Sequence, residues 1–273
     1  MIEDRLSILL AAPGESIPLS MAAILVAGDH WTELNVEQAW RDHEEFVADG
    51  AARMSRPSDL TDTISTLNDY LFRERELRGN VESYYDPMNS FLPAVLERGV
   101  GIPVTLSVLY MDVARAAGLH CSGIGLPGHF IVRVGGLDDG FYVDPFRGGE
   151  VFDVRECRAR VRRTLGVSAV PDEFLAPRSE RQVLSRILMN LKQIYIRSGR
   201  PANALMAVER LLQARPGLPQ EIRDRGALRF ETGGYWAGIR DMRRYLELVP
   251  GADDRLLVET RIHEMSREAV RLN

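Results

Sequence analysis

Two stretches of the C-terminal third, "NLKQIYIRSGRPANALMAVERLLQARPG" and "DRGALRFETGGYWAGIRDMRRYLELVPG", superpose at a shift of thirty-four residues. Gly199 matches Gly233, Ala204 matches Gly238, Arg210 matches Arg244, Leu212 matches Leu246 and Pro216 matches Pro250. A repeat of that length, with small residues where helices would touch and proline at the end, predicts stacked pairs of helices. Each pair buries its apolar side only against the next, so the array requires a closing helix. The segment "DDRLLVETRIHEMSREAVRLN" is suited to that role. An all-α repeat domain is therefore expected over residues 180–273, and "PDEFLAPRSE", residues 171–180, reads as the linker before it.

The preceding residues, 1–175, follow different periods and predict an α+β domain. Up to residue 76 the chain looks helical: "NVEQAWRDHEEFVADGAARM" and "LTDTISTLNDYLFRERELRGN" both space apolar residues as a helix does. The second is expected to stop at Gly79-Asn80. In "SYYDPMNSFLPAVLERGVGIP", Asp86-Pro87 forces a turn, and Asn89 or Ser90 is suited to cap a short helix. A longer helix then runs through "PVTLSVLYMDVARAAG", with Pro103 in its first turn and Gly118 at its end.

Residues 77–175 also hold three alternating segments that predict strands, "HCSGIGL", "HFIVRVG" and "GFYVDPF". The turn-rich "GGLDDG" joins the last two as a hairpin. If Val134 pairs with Phe141, Asp144 lies opposite Ile131 and becomes a diagonal neighbour of His129 on one face. Such a carboxylate takes the proton of one imidazole nitrogen and leaves the other free to act as a base.

Composition excludes several function classes. The formal net charge of −5 argues against direct nucleic-acid binding, and the basic run "RECRARVRR" reads as the solvated face of an amphipathic helix. "IPLSMAAILVAG" is too short to span a bilayer and reads as a buried helix, so no membrane association is expected. The acidic "MIEDRLSILLAAPGE" lacks the basic start of a signal peptide. Cys121 and Cys157, without a CxxC or a cysteine-histidine cluster, point away from disulfides and metal and toward a reducing cytoplasm. No cofactor motif is present.

The words "LRGNVESYYDPMNSFLPAVLERGVGIPVTLSVLYMDVARAAGL", "GIGLPGHFIVRV" and "YVDPFRGG" resemble the transglutaminase-like core. Followed by tetratricopeptide-type repeats, they are similar to the bacterial SirB-type family. The resemblance implies a helix packed on an antiparallel sheet and a catalytic order of Cys, His and Asp. His129 matches the histidine and Asp144 the aspartate, but the cysteine's position holds Pro103. Thiol catalysis is thereby placed in doubt, and proline also removes an N–H that an oxyanion hole could use.

Thr105 and Ser107, in the first turns of the same helix, are the hydroxyls that could replace the thiol, with His129 as their base. Their structural alternative is capping and bonding within the helix. Cys121 and Cys157 read as buried thiols. Tyr84, Tyr85, Asp86, Asn89 and Ser90, in the polar turn before the helix, are candidates to line the cleft with Pro103. Because binding needs no nucleophile, the expectation is a non-catalytic interaction or regulatory module whose repeats take a protein or peptide. The alternative is a hydrolase or acyltransferase built on Thr105 or Ser107, His129 and Asp144.

Overall fold

The structure, a computed structural model, describes residues 4–54, 59–136 and 140–271. It divides into two compact units, one of Gly14–Val183 and the other of Met1–Pro13 together with Leu184–Asn273. The division differs from the sequence boundary at both ends. The first helix, α1 (Arg5–Ala11), belongs with the repeats because Arg210 on that side bonds Asp4 at 3.1 Å and Ser7 at 2.9 Å.

Within Gly14–Val183, α2 (Leu19–His30), α3 (Val36–Arg53) and α4 (Leu60–Asn68) come first. Seven residues of α2 are buried, from Leu19 to Ala27, as its continuous apolar run requires. Asn35 and Asp59 cap α3 and α4, accepting the N–H groups of Gln38 and Asp62. The α4 helix runs on as a π-helical turn, Asp69–Glu74, and ends there, with Glu76 left-handed at φ 52°. The expected stop at Gly79-Asn80 is thus corrected. Instead, β1 (Arg78–Gly79) pairs in parallel with β2 (Val100–Gly101), and α5 (Leu92–Arg98) lies between them.

Helix α6 (Pro103–Ala116) is buried along eleven of its residues and forms the centre of this unit. Against it packs a four-stranded antiparallel meander of β3 (Cys121–Leu126), β4 (His129–Val134), β5 (Phe141–Asp144) and β6 (Glu150–Phe152). Val134 pairs with Phe141 and Val132 with Val143. The tip of that hairpin, residues 137–139, lies outside the described residues. The fourth strand, β6, was not legible in the sequence: Gly148 and Gly149, both with positive φ, turn the chain straight back after Asp144.

The α7 helix (Val154–Leu165) covers the sheet face that carries Ile131 and Tyr142. Its Cys157 shares a core cluster with Ile124, Phe152 and Leu175. Leu175 lies in the segment expected to be a linker. That segment is part of the domain: Ile124 bridges Pro177, and the Arg178 N–H donates to the Gly123 carbonyl at 2.9 Å.

The second unit contains the rest of α8 (Glu180–Arg197), then α9 (Pro201–Ala214), α10 (Pro219–Glu231), α11 (Tyr235–Leu248) and the closing helix α12 (Arg255–Arg271). The small repeat positions sit at contacts. Ala204 is fully buried, and a Cβ on Gly238 would lie 2.7 Å from the Gly226 carbonyl oxygen and 2.4 Å from Met265. Lys192, the single lysine of the chain, is buried and donates to Glu221 at 2.7 Å and Asp224 at 2.9 Å. No described helix is long and apolar enough to cross a membrane.

Candidate functional site

The β4–β5 register carries His129 and Asp144 to one face, and the imidazole Nε2 lies 2.7 Å from Asp144 Oδ2. Asp144 is 2% exposed. Its other oxygen accepts the backbone N–H groups of Phe146 at 3.1 Å and Arg147 at 3.3 Å, capping the turn Pro145–Arg147. The carboxylate is thus held from both sides. With Nε2 donating to it, Nδ1 is the nitrogen left to accept a proton or a hydrogen bond.

An aromatic chain flanks the imidazole. Phe146 meets His129 edge-on with ring centroids 6.1 Å apart, Tyr84 meets Phe146 at 6.1 Å, and Tyr85 meets Tyr84 at 5.4 Å. Gly79 makes room for this arrangement, because a Cβ there would lie 2.6 Å from the Phe146 ring and from its carbonyl oxygen. The absence of a side chain at Gly79 therefore helps place the ring beside the dyad.

The expected hydroxyl nucleophiles are turned inward. Thr105 and Ser107 are both fully buried. The Thr105 hydroxyl donates to the carbonyl oxygens of Asn89, at 2.8 Å, and Ile102, at 3.2 Å, and lies 3.2 Å from the Ile102 N–H. Ser107 Oγ is buried without a partner among the described residues. Among those residues, the only side-chain hydrogen bond of His129 is the one to Asp144. Pro103, at the head of α6, is buried as well.

The polar turn is also corrected in part. Asn89 and Ser90 are 0% exposed and do not line an open cleft, nor does either cap α5, whose N-cap is Phe91. The Asn89 amide donates to Ser83 and Tyr84 carbonyls and accepts from Asn80, which locks the loop. Asp86 caps the 3-10 turn through the Met88 N–H and holds Arg98 at 2.7 Å. Of the five turn residues, only Tyr84 and Tyr85 belong to the aromatic chain that reaches His129.

Neither cysteine offers a thiolate. Burial pushes the Cys121 thiol up to about 11 and the Cys157 thiol up to about 12, in each case against the pull of nearby arginines. Among the described residues, no three His, Cys, Asp or Glu side chains converge as a metal would require.

The open space lies on the other side of the dyad. His129 and Asp144 border a cleft of about 600 Å³ between the sheet and α7, floored by Leu126, Ile131, Phe152 and Val161. Arg147, Arg160 and Arg163 stand at its walls. The sequence reading placed the α7 arginines on a solvated face. That face borders the cleft because Cys157 and Val161 dock α7 on the sheet.

A chain whose helix α6, four-stranded meander and His–Asp pair are arranged in this way can be compared with known proteins. The sequence pattern of the transglutaminase-like superfamily matches residues 37–189, and that of the tetratricopeptide repeat matches residues 191–263. A UPF0162 protein of Xylella fastidiosa is 34% identical over 261 residues, covering 94% of this chain and 92% of that one.

The chain belongs to the SirB-type (UPF0162) family of transglutaminase-like proteins.

UPF0162 protein PA3419 of Pseudomonas aeruginosa is 25% identical to this SirB-type chain over 249 residues, covering 90% of each. F-box only protein 21 of Homo sapiens is 28% identical over 144 residues, which is 50% of the SirB-type chain and 22% of the human protein. No solved structure matches. The SirB-type chain therefore has a transglutaminase-like domain followed by repeats of a kind that generally mediate protein–protein contacts.

Proposed function

We propose that this protein is a non-catalytic member of its superfamily, a regulatory interaction module that works in the cytoplasm through its cleft and its repeats. The observation that supports the reading is the missing nucleophile. By the sequence resemblance Pro103 takes the place of the superfamily's cysteine, and the hydroxyls nearest along α6 are buried, with Thr105 bonded to Asn89 and Ile102. A base without a nucleophile to activate does not accelerate acyl transfer by the covalent route. Binding demands only the cleft and the helical array.

The test has two arms on the full chain. In the first, p-nitrophenyl esters and a fluorophosphonate label are offered to the native protein and to His129→Ala; equal, background-level rates are expected. In the second, Ile196→Asp and Arg200→Glu alter a cavity of about 330 Å³ lined by α8, α9 and α10. A partner cross-linked by the native chain should be lost from these variants and retained by His129→Ala. Ester turnover that depends on His129 would sink the proposal and restore the hydrolase or acyltransferase reading.

A further inference from the structure

The cleft beside His129 is unequal in charge. Its volume of about 600 Å³ is that of an ordinary small-ligand site, and its floor of Leu126, Ile131, Phe152 and Val161 is apolar. Three guanidinium groups border it, in three different states. Arg160 is committed: it bonds Glu150 at 2.6 and 2.8 Å and Glu156 at 2.7 Å, and it lies over the Phe152 ring. Arg147 is 65% exposed and reaches carboxylates only at 3.6 Å (Asp144) and 3.9 Å (Glu150). Arg163 is exposed and has no carboxylate partner among the described residues.

Asp144 is the single carboxylate among the residues that line the cleft, and it is spent. One oxygen is taken by His129 and the other by the N–H groups of Phe146 and Arg147. The cleft therefore presents two guanidinium groups with donors to spare, the imidazole of His129, whose Nδ1 is left to accept, and an apolar floor. A chain with a net charge of −5 has no shortage of carboxylates, yet Arg147 meets two of them only at 3.6 and 3.9 Å and Arg163 meets none among the described residues.

We propose that this cleft binds a carboxylate joined to an apolar group, as found at the C-terminus of a peptide whose last residue is apolar. Arg147 and Arg163 meet the carboxylate, for which the planar guanidinium fork is the matching donor. The apolar side chain rests on Ile131, Phe152 and Val161. The terminal amide N–H donates to Nδ1 of His129, which gives the retained dyad a use that needs no nucleophile. This inference rests on the reading of the domain as a binding module.

The test is a methyl and amide NMR titration of the full chain with three probes: N-acetyl-L-leucine, N-acetyl-L-leucinamide and inorganic phosphate. The acid should shift resonances of Ile131, Val161 and His129 with a Kd at least ten-fold below that of the amide. Phosphate at the same concentration should not displace it. Arg163→Gln should weaken the acid at least five-fold with the melting temperature unchanged. Equal binding of acid and amide, displacement by phosphate, or indifference to Arg163→Gln would each overturn the ligand class. Hydrolysis of the leucinamide that depends on His129 would instead overturn the binding-module reading, so the two failures are distinct.

Discussion

The Thr105 hydroxyl donates to the Asn89 carbonyl oxygen at 2.8 Å, sixteen residues away in the chain. That bond joins the start of α6 to the loop before α5. It also removes the best-placed hydroxyl from reach of an open active site. Both partners are fully buried, so the bond is a structural clasp.

Removing it should therefore cost stability. Thr105→Val keeps the shape but leaves the Asn89 carbonyl without its donor. A loss of about 1–3 kcal/mol is expected, the cost of an unsatisfied buried polar group. Thr105→Ser retains the hydroxyl and should lose less. Urea denaturation of the two variants ranks them; the reverse order would contradict the clasp.

The two members of the dyad should differ in the same assay. Asp144→Ala strands the N–H groups of Phe146 and Arg147 as well as the imidazole, so it should cost about 2 kcal/mol or more. His129→Ala removes a side chain that is 27% exposed and bears no backbone bond, and should cost about 1 kcal/mol. Equal losses would mean that the carboxylate does not hold the turn.

Thiol titration supplies a check that depends on pH. The thiolate reacts, and burial holds Cys121 at about 11 and Cys157 at about 12. At pH 8 the native chain should consume almost no disulfide reagent, and two equivalents should appear on unfolding. Rapid labelling of one thiol in the native state would reopen the search for a nucleophile.

Glu150 gives a linkage with a definite sign. Hydrogen bonds from Arg160 hold its carboxyl below the ordinary value of 4.5, against the opposing effect of burial. A depressed folded value means that the stabilisation is present above the unfolded value and is lost as pH falls through the folded one. The pair is near the surface and screened, so Glu150→Gln should cost about 0.5 kcal/mol at neutral pH. The difference from the native chain should vanish in acid below that window. A cost that persists there would assign it to packing.

Much of the helical array was legible because it depends on short-range signals. The thirty-four-residue period, the small residues at Ala204 and Gly238 and the closing helix all follow from local spacing. The pairing of Val134 with Phe141 could be supposed for a similar reason, because strand alternation excludes the one-residue slips that would turn the apolar residues outward, and it is the register found. The fold class and the family resemblance rested on the same contiguous words.

Tertiary packing decided the rest. Spacing along α6 placed Thr105 and Ser107 near its start, but nearly every side of that helix is enclosed, so position in the first turns did not imply access. The basic residues of α7 lie beside the cleft because Cys157 and Val161, distant in sequence from β3 and β4, dock the helix on the sheet. By itself the sequence determined the main helices, the β4–β5 hairpin and the His–Asp pair it carries, since those depend on spacing along short segments, whereas β1, β2 and β6 emerged only in the folded chain. Only the folded chain decided which polar groups face water and which face one another, because burial depends on what long-range packing places on the other side.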